Sequence, residues 1–421
     1  MLTTDLPVVI VGAGLAGLAC ATRLHADGFP VVVLEAADAV GGRIRTDVVD
    51  GFTIDRGFQV LNTAYPALRA GLDLDRLDLR RLPRGVRIRR RGALHDIRHP
   101  LASPGAAFGD ITTSVVGLRS KVALARYVTS CVAPRPSTIK GRSDVEARDA
   151  WAPLPGDVVD DVLTSFFAGV VLEPEITTSR IFTDLMMRMF VLGSSAVPAA
   201  GMQALPEELA RQLPAGAVRL GTPVGSVADG GVELTDGTVI EARGVVVAAD
   251  PWTAHGLLPE LGAPPAARAV TTYYFAAAPR ADLDPLLTLD ADGSGIVNSV
   301  VLTASAPEYS TDGRALVATS VLHADGRPVL EAGAAQAAAR ELHEAASGGW
   351  ELVATRDVPH ALPAMTAPHA LRKPVEVVPD RLWVAGDHRD TSSIQGALVS
   401  GRRAATLVAR ALNSATSGRT R

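Results

Sequence analysis

The stretch "VVIVGAGLAGLACATRL", Val8 to Leu24, decides how the rest of the chain is read. Pro7 to Val11 is a short apolar, β-branched run ending in glycine, as a buried parallel strand does. Leu15, Leu18, Ala19 and Thr22 follow at helical spacing, Asp27-Gly28 stops the helix before Pro30, and Val31 to Leu34 reads as a second buried strand. Strand, glycine turn, helix and strand make a βαβ unit, the context that raises Gly-x-Gly-x-x-Gly from a weak pattern to a dinucleotide-binding one. Gly12 permits the tight turn, Gly14 lets backbone approach a pyrophosphate, and Gly17 permits close contact between helix and strand. Leu15 and Ala16 open the helix, where free N–H groups and the dipole favour phosphate.

Glu35 ends the second strand, followed by Ala36. A carboxylate there accepts both hydrogen bonds of a ribose diol and repels a 2′-phosphate, which favours FAD or NAD over NADP. A simple NAD domain would next enter a crossover helix. Instead "AADAVGGRIRTDVVDGFTID" carries the pair Gly41-Gly42, then Arg43, then alternating strand text with Asp50-Gly51 as a hairpin turn.

With 421 residues the chain is long enough for two domains. Charged residues are 20% of it and the net charge is -4, which gives no electrostatic reason to expect nucleic acid. Cys20 and Cys131 cannot build a disulfide framework and suit a reducing compartment, so the cytoplasm is the expected location. The uncharged run Leu6 to Thr22 contains Pro7 and three glycines, and reads as neither export signal nor membrane span. Peripheral contact with a membrane is left open, and no metal site is expected.

Farther along, Tyr65 to Ser195 reads as largely helical, with an amphipathic surface over Phe108 to Val132 and "RGVRIRRRG" as a solvated hairpin. Val218 to Ala249 returns to short strands ending in the buried run "GVVVAAD". Thr271 to Phe275, Ile296 to Leu302 and Leu316 to Val321 suggest a separate sheet, and Leu330 to Ala346 an alanine-rich helix. Arg381 to Ala385 reads as a last strand, Ile394 to Leu412 as a last helix, and "NSATSGRTR" as a disordered tail.

The text "VVIVGAGLAGLACATRL…VVVLEAADAVGGRIRT" resembles the N-terminal signature of the flavin-containing amine oxidase and phytoene desaturase superfamily. "LWVAGDHRDTSSIQGALVSGRRAA" is similar to its C-terminal flavin motif, with Gly386 and Asp387 at the ribityl or phosphate portion and Ile394 to Ala397 opening a helix whose dipole faces the flavin. "VRLGTPVGSVADGG" looks like the segment in which Val224 meets adenine, "VPAAGMQALPEELA" like its Gly-Met segment, and "IDRGFQVLNTAYP" like desaturase-type relatives with Phe58 and Gln59 near the flavin. The resemblance implies an α/β fold: a Rossmann-like FAD-binding domain, of the GR2 flavoprotein type, interleaved with an α+β substrate domain. FAD, non-covalently held, would occupy residues 1–66, 201–263 and 373–421, and substrate residues 67–200 and 264–372.

Within that superfamily, amine oxidases place an aromatic residue before the last helix and a lysine on a substrate-domain strand. Here Ser393 stands at the first position, and no lysine occurs between Lys140 and Lys373. The leading expectation is therefore an FAD-dependent oxidoreductase of desaturase or dehydrogenase type acting on a large apolar, isoprenoid-like small molecule. Phe166, Phe167 and "IFTDLMMRMF" are its candidate lining, with His360, Tyr273 and Tyr274 as further cavity candidates and His388 as either packing or contact. No catalytic acid or base is assigned. One dinucleotide fingerprint leaves oxygen, a quinone or another protein to reoxidise the flavin, unless the net reaction is redox-neutral. Two other readings stand beside this one: an amine oxidase with an atypical site, and a flavin-free binding protein of the same fold.

Overall fold

A computed structural model of the chain describes residues 6–98, 117–228, 230–278, 283–345 and 349–418. Strand β1 (Val8–Val11), helix α1 (Leu15–Ala26) and strand β2 (Val31–Leu34) form the βαβ unit read from the sequence. Val8 pairs in parallel with Val31 on one side and Gly244 on the other, at the centre of a six-stranded sheet. Its strands lie in the order 218–219, β2, β1, 244–247, 382–384 and 376–378, the last antiparallel to its neighbour. Alternation along β1 divides the core in two. Val8 and Ile10 pack toward α1, whereas Val9 and Val11 pack with Val245, Val247 and Val232, under the small antiparallel sheet of residues 224–241.

Helix α1 crosses the last helix (Ile394–Gly418) closely, because a Cβ at Gly401 would stand 2.1 Å from the Ala16 carbonyl oxygen. The two ends of the chain are thereby packed on one face of one sheet. That last helix continues through Gly418, so most of the tail expected to be disordered is helical; residues 419–421 lie outside the described residues.

A second, mixed sheet runs in the order 351–363, 267–277, 315–324, 296–301, 287–290, 85–90 and 93–98. Helix Ala332–Leu342 buries Ala335 and Ala339 against one side of it, and Val162, Phe166 and Leu124 pack near Ile88 and Leu289 on the helical side. Here the expected helical span of 65–195 is corrected. Residues 79–81, 85–90 and 93–98 are strands, and 85–90 pairs in parallel with 287–290. "RGVRIRRRG" is indeed a hairpin, but not a solvated one: Ile88 is fully buried, and arginines 87, 89 and 90 pair with Asp96, Asp284, Glu341 and Asp161. Helices 118–132, 165–171 and 180–192 follow, and the first part of the expected amphipathic stretch, 108–116, lies outside the described residues.

Candidate active site

A cavity of about 1500 Å³ runs from the carboxyl ends of the parallel strands to the helices over the mixed sheet. Ordinary ligand pockets measure roughly 300–1000 Å³. Of the seventeen residues singled out from the sequence as cofactor contacts, all but Gly17 line it.

Gly12 leaves β1 at φ 102°, and a Cβ there would meet the Ala248 carbonyl oxygen at 2.9 Å. Only glycine fits that turn without strain. Helix α1 then starts from Gly14 with no side-chain cap, and Gly14, Leu15 and Ala16 border the cavity. An uncapped helix start can receive an anion such as a diphosphate. Gly17 is buried under the turn instead, where a Cβ would come 2.0 Å from the Gly12 carbonyl oxygen. Its task is packing.

The Glu35 carboxylate accepts from the backbone N–H of Ala13 at 2.7 Å and of Ala37 at 2.9 Å. Two of its roughly four lone-pair positions remain for a diol. Gly41 and Gly42 carry the chain across the start of α1; Gly41 bridges Gly14, and a Cβ on Gly42 would sit 3.6 Å from the Gly14 Cα. Arg43 donates to Asp387 Oδ1 at 2.8 Å and to the Ala361 carbonyl at 2.9 Å. Gln59 Nε2 in turn donates to the Arg43 carbonyl at 2.9 Å, and the Phe58 N–H to Thr272 Oγ1 at 3.2 Å. Val224 and Ala36 complete the end nearest β2. At the opposite margin Gly386 donates its N–H to Ser400 Oγ, while Ser393 Oγ accepts from the Gly396 N–H at 3.1 Å and so caps the helix that brings Ile394 and Ala397 to the cavity.

The far half carries an apolar wall of Phe166, Phe182, Met186, Met187 and Phe190. Not every residue of the expected lining belongs to it. Phe167 packs against Trp151 with ring centroids 5.4 Å apart, and neither it nor Met189 borders the cavity. Tyr273 and Tyr274 are likewise absent from the wall: both are buried, their hydroxyls donating to the carbonyls of Leu330 and Asp55. His360 does border it, stacked on Trp252 at 4.2 Å. His388 lies behind Gly386, outside the lining, and burial, which outweighs the pull of Asp387, lowers its pKa to about 3. It is a neutral packing residue at ordinary pH.

Sequence reasoning missed Asp250, Trp252, Arg84 and Lys121, all of which border the cavity. Two had a readable signal: Asp250 in "AADPW" caps the helix Pro251–Leu257, accepting from the N–H groups of Trp252 and Thr253 at 3.0 Å, and Arg84 opens "RGVRIRRRG", whose run of arginines reads first as a solvated hairpin. Cys20 and Cys131 are buried away from the cavity, and burial pushes both thiols up to about 12. Among the described residues no cluster could hold a metal ion, and no helix is long and apolar enough to cross a membrane.

The chain is 28% identical over 443 aligned residues to a hydroxysqualene dehydroxylase of Rhodopseudomonas palustris, covering 95% of this chain and 98% of that one. It is 26% identical over 298 residues to a coproporphyrinogen III oxidase of Bacillus subtilis, spanning 62% of that protein, and matches only 7% of the human lysine-specific histone demethylase 2. The crystal structure of a putative protoporphyrinogen oxidase from Exiguobacterium superposes with a TM-score of 0.71 over 97% of this chain and 99% of that one, at 18% identity, and so shares its fold. A family model for flavin-containing amine oxidoreductases matches residues 15–409, and with nearly the whole chain inside that match, the protein belongs to this family and is an FAD-dependent oxidoreductase.

Proposed function

We propose that the chain holds FAD non-covalently in the glycine-rich half of the cavity and oxidises a largely apolar small molecule in the other half, as a desaturase or dehydrogenase does. One observation carries this reading: the two halves form a single continuous space, and the wall facing the cradle is built from Phe166, Phe182, Met186, Met187 and Phe190. The similarity to a hydroxysqualene dehydroxylase over 95% of the chain supports an isoprenoid-like substrate.

In this reading Gly12, Gly14, Leu15 and Ala16 receive the diphosphate, Glu35 beside Ala36 accepts the ribose, and Val224 lies along the adenine. Gly41, Gly42, Arg43, Gly386 and Asp387 border the ribityl chain and ring, with Phe58, Gln59, Ile394 and Ala397 near the ring. FAD supplies the hydride acceptor that C–H oxidation needs. The chain's own residues bind, orient and keep water out. The capped last helix presents its positive end to the cavity, and the Met and Phe wall positions an apolar chain in a site poor in water. Among the described residues bordering the cavity, His360 is the one imidazole, and its ring lies stacked on Trp252.

Against amine oxidation stands Ser393, whose small side chain caps a helix where an aromatic wall would be needed. The lysine that borders the cavity, Lys121, comes from a helix and not from a strand of the mixed sheet. Anaerobic titration of the yellow protein separates the two readings. Bleaching or perturbation of the flavin bands by polyenes and isoprenoid alcohols is expected; rapid bleaching by monoamines with no response to any isoprenoid overturns the proposal.

A further inference from the structure

The charges that border the cavity are not evenly spread. Among the described residues its three acidic ones, Glu35, Asp250 and Asp387, all lie in the cradle half, whereas Arg84, Arg98 and Lys121 lie on the substrate half. The strand register places Gly85, next to Arg84, opposite Arg98, so the two guanidinium groups rise from one end of one hairpin. Leu124, one turn after Lys121, packs on the cluster of Ile88, Val162 and Leu289, as do Val86 and Ile97 of the same hairpin, which sets the lysine's helix close to it.

Most arginines bordering the cavity are already matched by carboxylates. Arg43 meets Asp387, Arg56 meets Asp47 in a two-pronged contact, and Arg98 meets Asp96 at 2.8 Å. Arg84 differs. Its Nη2 donates to the Val191 carbonyl at 2.8 Å, its Nε has no hydrogen-bond partner, and no carboxylate among the described residues pairs with it. Arg84 is half-buried on the same cavity wall as Leu82, Val86 and Phe190 and, among the described residues, gains no counter-charge for the hydration it has lost, so an arriving anion would gain more there than at a solvated arginine.

Resting on the apolar-substrate reading above, we propose that the substrate is an amphipathic anion: an apolar body that lies along the Met and Phe wall and a carboxylate or phosphate end received by Arg84, with Arg98 and Lys121 flanking it. The same cations repel an ammonium group, so the site discriminates against amines in its substrate half as well as at Ser393.

Four ten-carbon probes with one chain and different ends test this on the FAD-loaded protein: decanoate, decyl phosphate, decanol and decylamine, each followed by perturbation of the flavin spectrum. Decanoate or decyl phosphate is expected to bind at least about 10-fold more tightly than decanol, and whichever is tighter identifies a carboxylate or a phosphate as the natural end. Arg84→Gln should weaken the anions by about 10- to 100-fold while leaving decanol and FAD content unchanged, and Arg84→Lys should restore part of the loss. Should the glutamine variant fail to fold, added salt applied to the unaltered protein must weaken the anions and spare decanol. Decanol binding as tightly as both anions, or anion binding indifferent to Arg84 and to salt, overturns this inference and leaves the apolar reading standing. Tight binding of decylamine alone, with bleaching of the flavin, overturns both.

Discussion

The Arg43 guanidinium and the Asp387 carboxylate meet at 2.8 Å, joining the loop after β2 to the loop after the last strand of the same sheet. Asp387 is 5% exposed and Arg43 is the one cation that pairs with it among the described residues, so the carboxylate depends on the guanidinium for its charge to be tolerated. Asp387→Ala and Arg43→Ala should each weaken FAD retention by about 1.5–3 kcal/mol. The double variant should lose less than the sum of the two, because either single change already breaks the contact. Flavin absorbance per protein after gel filtration measures it. Strictly additive losses would mean that the two residues act separately.

Glu35 spends both carboxylate oxygens on the backbone N–H groups of Ala13 and Ala37. Glu35→Gln can keep one of those bonds and must turn an NH2 toward the other donor, so FAD affinity should fall by about 1–3 kcal/mol, and Glu35→Ala should cost at least as much. Equilibrium dialysis against free FAD reads the loss. Full affinity in either variant would remove the residue from the ribose contact.

Both cysteines are buried away from the cavity with thiols pushed up to about 12, so neither is a ready nucleophile toward a flavin. Acid precipitation of the yellow protein should leave the flavin in the supernatant. Colour that stays with the pellet would contradict non-covalent binding.

Stability should depend on pH in a way that separates Asp55 from the buried histidines. Burial, only partly offset by donors from Thr46, Met202 and Tyr309, raises the Asp55 pKa to about 6, so its contribution is present in acid and is lost as pH rises through that value. Burial lowers His343 to about 4 and His388 to about 3, so their contribution is present above the ordinary histidine range and is lost as pH falls. Between about pH 4 and 6 the two slopes oppose each other. Asp55→Asn removes the falling one, worth about 3 kcal/mol at 1.36 kcal/mol per pH unit, and should steepen the rise of the urea midpoint with pH. An unchanged slope would show that Asp55 titrates as an ordinary carboxylate.

Phe190 packs edge-on against Phe166 with centroids 4.9 Å apart, and both border the cavity. Phe190→Ala should weaken binding of a long apolar probe by about 1–3 kcal/mol with FAD content unchanged. Loss of FAD without loss of probe binding would place the residue in the cradle rather than on the substrate wall.

What the sequence determined by itself was the βαβ unit, the glycine turn, Glu35, and the matching text at the far end. These are local features: short continuous apolar strands, a helix start at Gly14, and a residue type that only a positive φ at Gly12 requires. The tertiary structure alone decided the substrate half. Residues 85–90 find their parallel partner at 287–290, so an arginine-rich stretch that reads as a surface hairpin becomes part of a sheet and delivers Arg84 and Arg98 to the cavity. In the helix Arg180–Leu192 it set apart Met186, Met187 and Phe190, which face the cavity, from Met189, which does not. Apolar residues on a helix look alike to composition and spacing. Which of them meets a void and which meets another side chain depends on the long-range packing of the neighbouring helices and the sheet beneath them.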